Sequence, residues 1–369
     1  MSMSLLKEHI SQHIQAAGGA ISFAEFMSYC LYTPELGYYT SNKPIIGEQG
    51  DFVTAPEISP LFGFSIANQI HEIYQQDYDI LEFGAGNGSL CRDVLLRLAQ
   101  LDALPEHYYI LEVSGYLRAQ QQQTLSDYPE LLARVQWLTE LPKQPIKGVV
   151  LANEVLDAMP VEVFRVQQGN FQQAYIEFNE NLEWQFVWQA CSPELLAAVK
   201  ELEPLPDGYQ SEINLSISPW LASIYDSLAE GCVLLFDYGF PQSSYYHPDR
   251  HHGTLMCHYQ HRTHPDPLIN IGQQDITAHV NFTAVAEAAY EKGFAIHGFT
   301  NQASFLIGNR ITDFMADLSA NEQIQASQAV QKLTMPHEMG ELFKCIALTK
   351  SWAGDPMSGF TFVDYLHHL

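Results

Sequence analysis

Short apolar runs alternate with helical segments along the chain, and this alternation leaves few folds open. "YDILEF" (78–83), "YYILEV" (108–113), "RVQWL" (134–138) and "KGVVLANE" (147–154) have the length and apolar continuity of strands buried on both faces. The segments between them carry helical spacing. Leu61, Phe62, Ile66, Ile70 and Ile73 form one stripe, with Ser59 placed as N-cap and Pro60 at the first helical position. Leu90, Val94 and Leu98 form another. "CVLLFDYGF" (232–240), "FAIHGF" (294–299) and "LFKCIALTK" (342–350) continue the rhythm after a break, giving seven strands. A parallel sheet covered by helices on both faces follows.

The rhythm changes between 163 and 215, where "FQQAYIEF" and "LEWQFVW" alternate as antiparallel strands would. We therefore expect an α/β chain in four parts. Residues 1–76 are a helical extension ending in a lid loop, and 77–162 are the first part of the core. Residues 163–215 are an inserted antiparallel region, and 216–369 complete the core around a loop insertion at 243–280. Insertions of this kind belong at the carboxyl edge of the sheet, where open α/β sheets bind ligands.

The first strand runs into "LEFGAGNG", spaced Glu82, Gly84, Gly86, Gly88. Such a loop lets a ligand approach the backbone at a helix N-terminus. A dinucleotide fingerprint runs G-x-G-x-x-G and faces a diphosphate, which Glu82 would oppose. The same carboxylate suits a cationic, amine-bearing ligand such as the methionine portion of S-adenosylmethionine. Glu112, at the end of the second run, can accept both hydrogen bonds of a ribose diol. That device serves nicotinamide cofactors equally, so the choice of donor rests on Glu82 and the glycine count. A purely structural glycine turn and a solvated Glu112 are the plainer alternatives.

"LANEVLDAMPV" places Asn153, Glu154 and Asp157 where the fourth strand ends, as candidate catalytic groups. If the acceptor is an arginine guanidinium, acids need not act as strong bases. They grip the fork, aim one nitrogen and take up charge. Asn153 and Glu154 could equally cap the next turn. Upstream, "GEQGDFVTAPEIS" supplies Asp51, Thr54 and Glu57 to a loop with the makeup of a lid. Asp275 and His279 in "QDITAHVNF", with Asp237 in "FDYG", are further acceptor-pocket candidates. Residues 247–279 are rich in histidine around Cys257, but no pair has the spacing of a structural zinc site, so no metal is expected.

Lys and Arg number 17 against 43 Asp and Glu, a formal charge of -26. That field repels phosphate backbones and anionic lipid headgroups, so neither nucleic acid nor membrane is an expected partner; it favours a basic protein segment. The six cysteines are scattered without a C-x-x-C, as in a reducing compartment. No transit-like character marks the N-terminus, which fits a bacterial-type cytoplasmic protein, or the mitochondrial matrix in a eukaryote. A homodimer is compatible with the sequence.

Together "FMSYCLYTPELGYY", "GDFVTAPEIS", "LEFGAGNGSL", "LANEVLDAMPVEVF", "DYGFP", "GTLMCHYQHR", "GQQDITAHVNFT" and "MPHEMGELFK" resemble the MidA family across nearly the whole chain. These are S-adenosylmethionine-dependent methyltransferases related to the mitochondrial complex I assembly factor. The resemblance implies a class I methyltransferase sheet and a donor site at Glu82, Gly84, Gly86, Gly88 and Glu112. It also implies a protein substrate with an accessible arginine, such as a complex I subunit. A methyltransferase for a small molecule, a donor-binding assembly factor without essential catalysis, and a nicotinamide oxidoreductase are the competing classes.

Overall fold

The computed structural model describes residues 2–41, 53–179, 183–202, 204–316 and 318–369. They divide into two units. One comprises Val53–Val155, Ser218–Pro241 and Val280–Leu369; the other comprises the described residues of 1–52 with Leu156–Ile217 and Gln242–His279.

The first unit is built on the seven expected strands: β1 (Asp79–Phe83), β2 (Tyr108–Leu111), β3 (Val135–Leu138), β4 (Ile146–Asn153), β5 (Leu228–Phe240), β6 (Ala295–Asn301) and β7 (Phe343–Lys350). Their spatial order is β6-β7-β5-β4-β1-β2-β3, and a two-residue strand, Val280–Asn281, pairs with β5. The run from β3 to β5 is parallel throughout; β7 is antiparallel to both β5 and β6. Strand order reverses at β1, whose neighbours are β2 and β4, so the loop leaving β1 sits at the switch point where such sheets bind ligands.

Local chemistry explains the helices that pack on this sheet. Helix α1 (Ala55–Ile58) is one short turn, followed by α2 (Pro60–Ile73), whose N-cap Ser59 accepts a hydrogen bond from the Leu61 N–H at 3.2 Å. The apolar stripe of α2 is buried as its spacing predicts. After the glycine loop comes α3 (Ser89–Gln100), then α4 (Gly115–Leu125) beyond β2. Leu61, Phe62, Ile66, Val94, Leu98, Val149, Leu151, Leu234 and Phe236 share one core with the sheet. Each such side chain contributes about 1.5–3 kcal/mol by leaving water.

In the second unit Ala20–Ser22, Asn170–Phe178, Glu162–Gln167 and Gln210–Ile213 form an antiparallel sheet in that order, with Trp184–Ala190 pairing on Asn170–Phe178. The expected antiparallel strands are therefore present, joined by an N-terminal strand that periodicity does not reveal. The His-rich stretch is not simply loop. Met256–Tyr259 pairs with Arg262–His264 and with Asp275–Thr277 in a small three-stranded sheet. Its strands have three or four residues each, too few for a period-2 pattern to emerge.

Glu212 fixes the approach to that sheet. Its carboxylate, 1% exposed, accepts from the backbone N–H groups of Thr254 (3.0 Å) and Leu255 (3.3 Å) and from the Thr254 hydroxyl (3.3 Å). Burial raises its pKa, and the Thr254 and Leu255 N–H groups oppose the rise. Replacing it leaves buried donors unmatched, at about 1–3 kcal/mol. Glu212→Ala should lower the thermal midpoint of this protein. Glu212→Gln should also lower it, because an amide turns a donor toward backbone N–H groups. An unchanged midpoint in both variants would contradict this anchoring role.

Candidate functional site

The glycine loop turns through left-handed backbone at Gly84 (φ 62°), Gly86 (φ 54°) and Gly88 (φ 87°), where side-chain-bearing residues are strained. Gly88 is required for a second reason: a Cβ there would lie 3.0 Å from Cα of Gln121. Helix α4 thus presses directly on the loop.

Gln121 holds the two together. Its Nε2 donates to the Gly86 carbonyl (2.9 Å) and to the Glu112 carboxylate (3.2 Å), while its Oε1 accepts from the Trp137 indole (2.8 Å). Thr124, one turn on, donates to the Asn87 carbonyl at 2.7 Å. Neither residue was foreseen from sequence, although a signal existed. Leu117, Gln121 and Leu125 recur at four-residue spacing, so Gln121 is the one glutamine of its run on the buried face.

Glu112 is buried, and its Oε1 accepts from the Ser114 N–H at 2.8 Å. Burial raises its pKa, opposed by the hydrogen bonds from Ser114 and Gln121. A carboxylate offers about four acceptor positions, and the donors here are the Ser114 and Val113 N–H groups and Gln121, so room for a ribose hydroxyl remains. Beside it Val113 is 67% exposed, an apolar surface that an adenine ring could cover.

Glu82 lies inside β1 and not at its end. It is 2% exposed and accepts from the Tyr108 hydroxyl at 2.9 Å. Burial is the main cause that lifts its pKa from 4.5 to about 8; Tyr108 lowers it and Glu112 adds to the rise. At neutral pH the ligand-free protein therefore keeps much of this carboxyl protonated.

Two further segments reach the loop. Asn87 donates to Glu57 Oε1 at 2.5 Å, and burial raises the Glu57 pKa. Glu154 follows β4 with left-handed backbone (φ 54°), its N–H donating to the Phe236 carbonyl at 2.9 Å. Its Oε1 lies 3.1 Å from Nδ2 of Asn153 and 3.4 Å from the N–H of Ala55 in α1. A non-glycine residue held this way costs about 1–3 kcal/mol and marks a position where geometry matters more than stability. Thr54 precedes α1 without a side-chain capping bond. Asp51 falls outside the described residues. Asp237 is fully buried within β5, opposite Lys344 in register, because the strand continues to Phe240.

Asp157, Asp275 and His279 belong to the second unit. Tyr39 donates to Asp275 at 2.7 Å, and Tyr32 donates to the Ala158 carbonyl at 2.8 Å. Burial raises the Tyr32 pKa, with the charges of Asp275 and Asp157 adding to it, so the two acids share one neighbourhood. Burial lowers the His279 pKa to about 4, helped by Arg250 and His258, so this imidazole is neutral at physiological pH.

The residues present suit the donor. Among the described residues, Glu57 Oε2 and Asn153 Oδ1 are buried acceptors without a protein partner, on the two segments that reach the loop. A ligand carrying N–H donors would satisfy them.

The elevated Glu82 pKa has a measurable consequence. Below pH about 4.5 folded and unfolded states both hold the proton; between there and about 8 only the folded state does. Stability must fall as pH rises through that window, by up to about 1.4 kcal/mol per unit. In ligand-free denaturation, Glu82→Gln should gain on the parent protein from pH 5 to 8. A constant difference across that range would contradict the shift.

The chain is similar to known methyltransferases. Residues 62–300 match the family model of S-adenosyl-L-methionine-dependent methyltransferases. A solved structure from Burkholderia thailandensis with S-adenosyl-homocysteine bound superimposes with a TM-score of 0.95 at 38% identity, covering 100% of this chain and 97% of its own. The mitochondrial protein arginine methyltransferase NDUFAF7 homolog of Drosophila melanogaster is 28% identical over 89% of this chain and 82% of its own length. The Mus musculus protein arginine methyltransferase NDUFAF7 is 27% identical over 92% and 83%. The chain belongs to the S-adenosylmethionine-dependent methyltransferase family, and S-adenosylmethionine is its donor.

Proposed function

We propose that the protein is a protein arginine N-methyltransferase whose donor is held by the glycine loop and Glu112 and whose acceptor is positioned by Glu154. The observation that carries the acceptor assignment is Glu154 itself: an acid at a strand end, in strained backbone, bonded to Asn153 and to the first helical N–H after the lid segment. The arginine methyltransferases to which the chain is similar support the same acceptor.

Within this proposal the backbone of Gly84, Gly86 and Gly88 lies against the donor, and Glu112 accepts from its ribose hydroxyls. Asn153 and Glu57 accept from its amino group. When bound, the donor supplies an electrophilic methyl on a sulfonium. Glu154 grips the guanidinium bidentately and aims one nitrogen; as the N–C bond forms, the methyl–sulfur bond would break with its electron pair left on sulfur, and the nitrogen would release one proton past the Glu154 carboxylate to solvent. Within the second unit, Asp157 and Asp275, with Tyr39 orienting the latter, make a negative neighbourhood of their own that favours a basic segment.

The net charge of -26 supports a protein acceptor over nucleic acid. A respiratory complex I subunit is the target class that the family likeness favours, in a bacterial-type cytoplasm compatible with six unpaired cysteines. Among the described residues no helix is long and apolar enough to cross a membrane.

The test is methyl transfer from labelled S-adenosylmethionine into a lysate lacking the enzyme, followed by hydrolysis and identification of the labelled amino acid. Methylarginine should carry the label, and Glu154→Gln should cut it at least about 100-fold while S-adenosylhomocysteine affinity changes little. Label in another amino acid or in small molecules would overturn the acceptor. Undiminished transfer by the variant would overturn the role of Glu154.

A further inference from the structure

A pocket of about 550 Å³ opens in the first unit among α2, α3 and the turn after the helix Gln302–Gly308. Its size falls within the range of small-molecule sites. Its lining includes Asn68 and His71 of α2 and Arg97 near the C-terminus of α3. Nine residues of helix separate Arg97 from Gly88, about 13 Å at 1.5 Å per residue, so this pocket stands apart from the glycine loop.

The lining carries Arg97 and Arg310 against Glu72 and Asp313, and among the described residues none of the four is ion-paired. Arg97 donates from Nε to Asn68 Oδ1 (3.0 Å) and from Nη1 to Gln100 Oε1 (3.0 Å), and its guanidinium lies 5.1 Å from the centre of the Phe314 ring. These partners are neutral, and among the described residues no carboxylate lies within ion-pairing distance. In a chain with 43 acids and 17 bases, a half-buried arginine without an ion pair is unexpected. Arg310, exposed on the same wall, also makes no ion pair. Glu72 is on the wall too, but its oxygens are taken by the Ser358 hydroxyl (2.5 Å), the Ser358 N–H (2.9 Å) and Gln69 Nε2 (2.9 Å).

A second observation is independent of charge. Asn309 is 2% exposed, and its Nδ2 donates to the Phe305 carbonyl (3.0 Å) and toward Gln69 Oε1 (3.5 Å), which fixes the amide orientation. Its Oδ1 is buried with no partner, and so is Nδ1 of His71. A buried acceptor without a donor costs about 1–3 kcal/mol, and a pocket that keeps one is built to receive a donor.

We propose that this pocket binds a small oxyanion bearing a hydroxyl group, its phosphate or carboxylate held by Arg97 and Arg310 and its hydroxyl donated to Asn309 Oδ1. Asp313, on the same wall, disfavours ligands of higher negative charge.

The experiment is calorimetric titration of the full-length protein, saturated with S-adenosylhomocysteine, with inorganic phosphate, glycerol 3-phosphate and glycerate. Glycerol 3-phosphate or glycerate should bind at least about tenfold tighter than inorganic phosphate; which of them wins tells phosphate from carboxylate. Arg97→Gln and the exposed Arg310→Gln should each weaken that ligand about tenfold or more, with S-adenosylhomocysteine affinity intact in both. The inference is overturned if none of the three binds at about 10 mM. It is equally overturned if the hydroxyl gives no advantage, or if both arginine variants bind as the parent does.

Discussion

One side-chain amide ties the donor site to the sheet. Gln121 uses both of its N–H groups and its carbonyl, on the glycine loop, on Glu112 and on the Trp137 indole of β3. The segments that follow β1 and β2 are thereby fixed to β3 with no polar atom of that amide left over. A glycine loop alone has many conformations at little cost, and the loop needs left-handed backbone at three positions. Contact with α4 at Gly88 and the hydrogen bond at Gly86 select one of them. The carboxylate proposed to read the ribose is bonded to the same Gln121 nitrogen that holds the loop, so one side chain positions both parts of the proposed donor site.

Much of this was legible in the sequence because its causes are local. Strands buried on both faces read as apolar runs, and Ser59-Pro60 announces the start of α2 through hydrogen bonding that any helix N-terminus needs. The glycine spacing reports backbone strain directly. What escaped depends on residues far apart in the chain. Tyr108 is an ordinary strand aromatic until β2 pairs with β1 and sets its hydroxyl on Glu82. Glu212 looks like a surface acid in "SEINL" until residues 253–255 fold onto it. The strands around the His-rich segment are too short to have a period, and Asp157 and Asp275 meet only through the fold of their unit.

Electrostatics gives the donor site its direction. Glu57, Glu82 and Glu112 all have pKa values raised by burial, so in the ligand-free protein these acids resist ionising. A cationic ligand reverses that balance, since an opposite charge favours the ionised form. S-adenosylmethionine carries one more positive charge than the product left after methyl transfer. If the donor binds beside these acids as proposed, they would favour it over the less positive product. Glu82 thus serves as a neutral, hydrogen-bonded member of the core that can become a charge, where sequence alone portrays a permanent one.

The most direct measurement is the crystal structure of this protein with S-adenosylhomocysteine bound. Both ribose hydroxyls should lie about 2.6–3.2 Å from the Glu112 carboxylate, with the Gln121–Gly86 hydrogen bond retained and the Glu57 and Asn153 oxygens facing the amino group. A ribose held by other residues, with Glu112 still bonded only to Val113, Ser114 and Gln121, would contradict the account.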